Sequence, residues 1–187
     1  MSLAKELFDI ENTHIIKISF QNSNYDSILK KRWEKNAKEY ELTDIEFIIR
    51  SKKDITLTSE DRSTGWTKIS KENDKYCYQN KTLKNVGVRY KGNSTYKIAL
   101  DSNNPKLPFN IDFNLNDDYD YEKILGEVEY KRVDDQTLLG YKKIKLSNSI
   151  FDTTYTKDHL GYLLMKEYIP TCNTSNVEVF VNIKNSN

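Results

Sequence analysis

The chain has 187 residues, and its 29 basic and 28 acidic side chains give a formal net charge of +1 at pH 7. This balance argues against a dedicated nucleic-acid-binding protein, because such proteins normally carry a strong basic excess. Hydrophobic residues make up 37% of the chain, and 13 tyrosines and 7 phenylalanines supply large apolar faces, so the composition favours a folded core over disorder. No apolar run is long enough to predict a membrane-spanning helix.

The first third of the chain predicts a strand, a helix and a second strand. Residues 14–20 alternate between polar and apolar side chains, which is typical of a half-buried strand. Residues 24–36 have the spacing of a helix, with Trp33 on its apolar stripe. The lysines and arginines of this helix, including Arg32, are interpreted as a solvated face. Residues 45–50 alternate again and predict the second strand.

The middle of the chain predicts several short strands separated by charged turns. They cover residues 54–58, 65–69, 75–79, 83–90, 96–100 and 109–115. Pro105 and Pro108 bracket Lys106 immediately before the last of these strands. Because proline is tolerated at the start of a strand but not in its middle, Lys106 is expected to lie where that strand begins.

The last third predicts a loop, a helix and a final strand. Residues 116–135 contain an acidic run around Asp117, which is interpreted as a solvated loop, with a metal or substrate contact as the alternative. Residues 155–168 predict a helix, with His159 on its surface, and residues 177–183 alternate as a strand. The order of elements predicts an α+β fold with a mainly antiparallel sheet and two principal helices.

The segment 85–95 carries the clearest chemical signal, because an alternating strand runs into a Lys-Gly-Asn-Ser turn. Arg89 and Lys91 are expected on one face of that strand, next to Gly92 and the amide of Asn93. Two cations beside a glycine turn with amide and hydroxyl side chains suit phosphate oxygens. The alternative interpretation is an exposed strand whose arginine and lysine keep its edge soluble.

Four blocks in order resemble the CotH family of spore-coat proteins. They are residues 85–95, 105–114, 139–148 and 151–160, and the resemblance extends upstream to residues 7–9, 14–18 and 24–29. It departs from the family at Tyr25, where tryptophan is usual, and at residues 51–84, where the family has a shorter link. The resemblance implies an atypical protein kinase that phosphorylates coat proteins with ATP and a divalent metal, Mg²⁺ or Mn²⁺.

The resemblance also implies roles for individual residues. Lys106 stands where the family carries a lysine before its strand, so it is expected to bind nucleotide phosphates, with an exposed edge lysine as the alternative. Asp158 stands where the family has a glutamate on a helix, and it is expected to pair with that lysine, although its side chain is one carbon shorter. Arg89, Lys91 and Asn93 are expected to form a second phosphate-binding group.

Two functions stay open from the sequence. The first is the nucleotide-binding N-terminal lobe of a CotH-like kinase that acts on spore-coat or cell-surface proteins. Its catalytic and metal-binding aspartates are expected beyond Asn187, so this chain alone is expected to be inactive, and no metal ligand is assigned within it. The second is a non-catalytic β-rich module for assembly or surface attachment.

The remaining expectations concern organisation and location. Residues 1–187 are expected to form a single domain, in which residues 1–3 are interpreted as a leader added in cloning. No signal peptide is present in the sequence, although a secretion signal could have been cut away when that leader was added. The family resemblance implies a location at the spore coat or the cell surface, with no nucleic acid and no membrane span among the partners.

Overall fold

The computed structural model describes residues 3–9, 11–69, 75–115, 120–152, 154 and 156–184. The chain divides into two compact units. The first comprises Met1–Ile18, Ile45–Thr82 and Asp152–Val181. The second comprises Ser19–Asp44, Leu83–Phe151 and Asn182–Asn187.

Helices and strands are interspersed along the chain. In order, they are α1 (Leu3–Leu7), β1 (Thr13–Phe20), α2 (Tyr25–Glu34), β2 (Glu41–Ser51), α3 (Ser59–Ser63), β3 (Thr67–Ile69), β4 (Cys77–Tyr90), α4 (Ser94–Asp101), β5 (Phe109–Asp112), α5 (Tyr121–Leu125), α6 (Glu127–Asp134), β6 (Lys143–Leu146), α7 (Lys157–Met165) and β7 (Asn176–Ile183). The strands follow the order β6-β5-β4-β2-β1-β7, and β3 pairs with β4. The pairs β3–β4, β4–β5 and β5–β6 are antiparallel. The predicted α+β class is confirmed.

Strand β4 is continuous where the sequence predicted two separate strands, over residues 75–79 and 83–90. Asn85 adopts a positive φ of 53° within it. A left-handed residue inside a strand shifts the alternation of side chains in the manner of a bulge. The buried residues Leu83 and Val86 are therefore three positions apart instead of two. The split in the prediction has another cause, because the polar run at residues 80–82 interrupts the apolar alternation although the strand continues through it.

Residues 54–58 form no strand, contrary to the prediction, and they lead into helix α3. Thr58 begins this helix with a capping box, because its hydroxyl accepts from the amide of Asp61 at 3.1 Å. The carboxylate of Asp61 accepts in return from the amide of Thr58 at 2.8 Å. These local hydrogen bonds satisfy amides that a strand would have needed a partner to satisfy.

Two further segments are helical instead of strand or loop. Residues 96–100 lie in α4, where Tyr96 and Ala99 are buried three positions apart, at helical spacing. Within residues 116–135 the structure forms α5 and α6, and the Asp120 side chain accepts from the amide of Lys123 at the start of α5. The two helices predicted as principal are α2 and α7, the longest among the described residues, and shorter helices accompany them. Asp117, at the centre of the predicted acidic loop, lies outside the described residues.

Helix α7 confirms the predicted helix, but its orientation differs from the expectation. Leu160 and Leu164 are 51% and 70% exposed, whereas His159 is only 8% exposed. The prediction of His159 as a surface residue was wrong. Its Nδ1 atom lies 2.7 Å from the hydroxyl of Thr174, which gives the imidazole a buried polar partner.

The first unit contains a buried polar network beside its apolar core. The carboxylate of Glu6, which is 1% exposed, accepts from Ser51 at 2.8 Å and from Asn12 at 3.2 Å. The fully buried His14 ring lies 3.0 Å from the carbonyl oxygen of Leu7 and accepts from the backbone amide of Arg50 at 3.1 Å. These bonds link helix α1 to strands β1 and β2 within this unit.

The second unit packs aromatic side chains around the start of α4. The ring of Tyr96 lies 4.2 Å from Trp33 and 5.1 Å from Tyr90, measured between centroids. A separate apolar cluster is formed by Tyr40, Leu115, Tyr121 and Val133. The first of these groups includes Tyr90, the last residue of β4, where the candidate site begins.

Candidate functional site

A row of polar side chains crosses three neighbouring strands of the second unit. The antiparallel register places Arg89 of β4 opposite Asn110 of β5, and Asn110 opposite Lys145 of β6. Side chains that lie directly opposite each other in antiparallel strands project from the same face of the sheet. An amide therefore lies between two cationic side chains on one face.

This row opens into a cavity of about 400 Å³. Its polar lining consists of Arg32, Arg89, Lys91, Lys145, Asn36, Asn93 and Asn110. Four of these side chains are cationic, and none of the lining residues is acidic. Such a surface favours an anionic ligand, since each cation lowers the energy of a negative charge placed between them.

Two of the cations are held by contacts at the edge of the cavity. The guanidinium of Arg89 lies 4.8 Å from the ring centroid of Tyr40, and its Nη1 donates to the carbonyl oxygen of Lys38 at 3.3 Å. Arg32 pairs with Glu41 at 2.8 Å, which offsets much of its charge. Arg89 is therefore the better placed of the two arginines for an anion.

The glycine turn forms part of the cavity lining. Gly92 has a φ of 77°, which an L side chain would adopt only under strain. Its carbonyl oxygen accepts from the indole N–H of Trp33 at 2.8 Å. The backbone amide of Lys91 donates to the carbonyl oxygen of Pro108 at 3.0 Å, which extends the pairing of β4 beyond its last residue. Asn93 precedes α4 without capping it, so its side-chain amide is left for the cavity.

A buried tyrosine anchors the strand beneath this turn. The hydroxyl of Tyr90 donates to the carboxylate of Asp26 at 2.6 Å. Burial, together with this hydrogen bond, raises the pKa of Tyr90 far above its ordinary value. Burial favours the protonated form of Asp26, but hydrogen bonds from Lys30 and Tyr90 outweigh it and lower the pKa of Asp26. Tyr90 thus stays neutral and Asp26 charged, which keeps helix α2 fixed to β4.

The structure brings together three of the five residues expected from the sequence. Arg89, Lys91 and Asn93 all line the cavity. Lys106 is an exposed residue that is not among the lining residues, and partial desolvation of its amine lowers its pKa. Asp158 is an exposed residue of the first turn of α7, in the first unit. The pairing of Lys106 with Asp158 stays a prediction.

The sequence analysis missed four polar lining residues. Arg32 was assigned to a solvated helix face, and Asn110 lies in a strand of which only the apolar face was considered. Asn36 and Lys145 were given no role, and no strand was predicted at Lys145. The polar positions of β5 and β6 alternate with the apolar ones, so that pattern could have identified Asn110 and Lys145 as one face. It could not have placed them opposite Arg89, because register between distant strands is set by tertiary packing.

The described residues also bear on metal ions and membranes. Among them, no three or more histidine, cysteine, aspartate or glutamate side chains come together in a way that could hold a metal ion. In the same part of the chain, no helix combines the length and apolarity needed to cross a membrane.

Comparison with protein families finds a match in the second half of the chain. The family model described as CotH kinase protein matches residues 88–186. This range contains the lining residues from Arg89 to Lys145, and it excludes Arg32 and Trp33 on α2. No curated protein and no solved structure matches the chain.

Proposed function

This chain belongs to the CotH kinase protein family, and we propose that its basic cavity binds the phosphates of a nucleotide, ATP, as part of an atypical protein kinase. The observation that carries the proposal is the row Arg89–Asn110–Lys145 across β4, β5 and β6. Lys91 and Asn93, at the glycine turn, complete the group of side chains that would surround the phosphate oxygens.

The cavity fits a phosphate group in charge and in size. A volume of about 400 Å³ lies within the usual range for small-molecule sites. The cationic side chains on the cavity wall would each form a charge-assisted hydrogen bond with a phosphate oxygen, and the glycine turn would let the backbone approach the ligand closely. The residues assigned here serve binding. Transfer to a protein hydroxyl requires in addition a residue that orients the acceptor and carboxylates that hold a metal ion.

The wider function is proposed from the family. Its substrates would be proteins of the spore coat or the cell surface, the phosphate donor would be ATP, and the metal would be Mg²⁺ or Mn²⁺. The same membership supports a location at the spore coat or the cell surface. The non-catalytic module for assembly or attachment is the alternative, and nucleotide binding distinguishes the two.

Isothermal titration of the chain with ATP, in the presence and absence of Mg²⁺, tests the proposal. We expect saturable binding that weakens as salt is raised, because the contacts are ionic. Arg89→Ala should weaken binding about 10- to 150-fold, since a hydrogen bond to a charged group contributes about 1.5–3 kcal/mol. Lys131→Ala is the matched control, because this exposed lysine of α6 pairs with Glu127 and is not among the cavity residues.

Absence of ATP binding by the folded chain would contradict the proposal and favour the assembly module. Lys106→Ala and Asp158→Asn examine the two remaining predictions from the family resemblance. If Lys106 contacts phosphates, its substitution should weaken ATP binding as much as Arg89→Ala does. If only Arg89→Ala has an effect, Lys106 is an edge lysine, as the alternative interpretation holds.

A further inference from the structure

Arg32 is the cation that helix α2 contributes to the basic cavity. It lies in the last turn of the helix, and its side chain is 25% exposed, so a ligand can reach it. Just after the helix, Asn36 adopts a φ of 51°, and the amide of Ala37 donates back to the carbonyl oxygen of Arg32 at 2.8 Å. These contacts fix the backbone of Arg32, but they do not fix its long side chain.

Two carboxylates hold the guanidinium of Arg32. Nη1 donates to Oε2 of Glu41 at 2.8 Å, and Nε lies 3.4 Å from Oε2 of Glu39. The Glu41 side chain is 16% exposed and the Glu39 side chain is 38% exposed, so the pair with Glu41 is the better shielded from water. Neither glutamate belongs to the described lining of the cavity. Arg32 therefore lines the cavity while residues outside the lining hold its guanidinium.

Glu41 is a firm point of attachment for Arg32 because it is the first residue of strand β2. Tyr40, the residue before it, is buried, and its backbone amide donates to the hydroxyl of Tyr121 at 2.6 Å. Strand β2 lies next to β4, the strand that carries Arg89. A side chain held from a strand is placed more precisely than one held from a loop. The contact with Glu41 thus ties Arg32 to the sheet on which the other cations of the cavity stand.

An arginine held in this way can still bind an anion. The guanidinium has five N–H donors in a planar fork, and the contacts with Glu41 and Glu39 use Nη1 and Nε. Nη2 carries two further donors, which suit a phosphate oxygen. Because the carboxylates offset much of its charge, Arg32 supplies mainly a donor in a fixed position. A side chain that is already ordered also loses less rotamer freedom when the ligand binds.

We propose that Glu41 is a positioning residue of the cavity, which orients Arg32 so that its guanidinium donates to a phosphate oxygen of the ligand. Glu41 then has two opposite effects on binding. Its negative charge repels an anionic ligand, whereas its acceptor oxygen strengthens binding by holding Arg32. The inference rests on the proposed function, because it assumes that the ligand of the cavity carries phosphates.

Titration of two variants at residue 41 with ATP separates these effects. Glu41→Gln and Glu41→Ala both remove the negative charge, but only glutamine keeps a side-chain oxygen that can accept from Arg32. The quantity measured is therefore the ratio of their dissociation constants for ATP. We expect Glu41→Ala to bind ATP about two- to tenfold more weakly than Glu41→Gln, the usual cost of ordering one long side chain. Arg32→Ala should weaken ATP binding about 10- to 150-fold, through loss of a charge-assisted hydrogen bond.

The same two variants in an Arg32→Ala protein test whether Glu41 acts through Arg32. Without the guanidinium the ratio of dissociation constants should fall to one, because residue 41 then has nothing to orient. Glu46 of β2 is the matched control, since its carboxylate pairs with Lys17 at 2.7 Å and is not among the cavity residues. Glu46→Ala and Glu46→Gln should bind ATP equally well. Thermal unfolding checks that each variant is folded.

NMR of the wild-type protein gives a second measurement, which does not depend on the stability of any variant. The Nε–H signal of Arg32 should shift as ATP is added, because the ligand contacts the same guanidinium. A signal that stays in place when ATP saturates the protein overturns the inference.

The outcomes that overturn the inference differ from those that overturn the proposed function. A ratio of one between the variants at residue 41 overturns the inference while ATP binding stands. The same holds for a ratio that persists in the Arg32→Ala protein, and for an Arg32→Ala variant with the ATP affinity of the wild type. Failure of the wild-type protein to bind ATP removes the proposed function and this inference together.

Discussion

The indole N–H of Trp33 donates to the carbonyl oxygen of Gly92, with 2.8 Å between Nε1 and O. The same ring packs 4.2 Å from the ring of Tyr96, measured between centroids. One side chain on α2 therefore fixes both the glycine turn and the helix that follows it. Because Lys91 and Asn93 flank Gly92, their positions in the cavity depend on a contact made far away in the sequence.

Trp33→Phe should lower both stability and ligand affinity. Phenylalanine keeps most of the packing on Tyr96 but cannot donate to Gly92. We expect the free energy of unfolding in urea to fall by about 1 kcal/mol, the usual effect of one hydrogen bond. ATP affinity should fall beyond what the unfolded fraction explains, because the turn is no longer held.

Tyr25→Phe provides the control for this substitution on the same helix. The Tyr25 ring stacks on Phe20 with centroids 4.1 Å apart, and removal of its hydroxyl leaves that stacking in place. Its effect on ATP affinity should be negligible. Equal affinity of the Trp33→Phe variant and the wild type would show that the turn keeps its shape without the indole.

Gly87 and Gly161 form a matched pair with opposite predictions. A Cβ at Gly87 would lie 2.6 Å from Cδ2 of Leu115 and 2.8 Å from Cβ of Tyr40, whereas a Cβ at Gly161 in α7 would meet nothing within 4 Å. Gly87→Ala should destabilise the protein by about 1–3 kcal/mol through overpacking. Gly161→Ala should stabilise it by about 0.5–1 kcal/mol, because alanine is the better helix former. Urea unfolding measures both, and a Gly87→Ala variant as stable as the wild type would mean that Tyr40 is not held against β4.

Asp112 is a fully buried carboxylate with a structural role beside the cavity. Its Oδ2 pairs with Lys143 at 2.9 Å, and its Oδ1 accepts from the amides of Asn114 and Leu115 at the end of β5. Asp112→Ala should cost about 3 kcal/mol or more, since two amides and an ammonium lose their acceptor. Asp112→Asn keeps an oxygen for the amides and should cost less, about 1–2 kcal/mol, because Lys143 is 40% exposed and can be hydrated.

Chemical denaturation measures how much stability each of the two Asp112 variants loses. Equal losses of stability in Asp112→Ala and Asp112→Asn would assign the whole effect to the ion pair with Lys143. The neighbouring row Arg89–Asn110–Lys145 should keep its register in the asparagine variant, so ATP affinity should change little there.

Local pattern predicted the parts of the fold in which one side of an element is buried. Strands β1 and β2 were found because every second residue packs into the core, as at Ile16, Ile18, Phe47 and Ile49. The pattern failed at residues 80–82, where a polar run interrupts the alternation although strand β4 continues through it. It also failed at residues 96–100, because an apolar segment this short fits a strand and a helix equally well.

The candidate site was predictable from the sequence only in part, because tertiary packing brings some of its residues together. Arg89, Lys91 and Asn93 are close in sequence, so their proximity follows from the geometry of a strand and a turn. Asn110 and Lys145 join them through the register of three strands, and Arg32 joins them through the packing of α2. Neither register nor packing can be inferred from one segment, since both depend on residues elsewhere in the chain.

His14 makes the stability of the protein depend on pH. Burial, the main cause, lowers the pKa of His14 from 6.5 to about 4. The backbone amide of Arg50 donates to Nδ1, so the neutral ring must carry its proton on Nε2, the atom that lies 3.0 Å from the carbonyl oxygen of Leu7. Protonation of Nδ1 would break the bond to Arg50 and place a charge in the core.

Unfolding at acidic pH is coupled to the uptake of a proton by His14, so acid lowers the stability of the protein. Between pH 6.5 and about 4 the unfolded chain binds a proton at His14 that the folded chain does not. The contribution of His14 to the free energy of unfolding is thus fully present above pH 6.5. It falls by up to about 3 kcal/mol as the pH drops to 4, and it is constant below pH 4. Urea unfolding from pH 7 to 4 should show this loss, and His14→Gln should show a shallower dependence because glutamine does not titrate. An NMR titration midpoint of the His14 ring near 6.5 would contradict the burial on which the prediction depends.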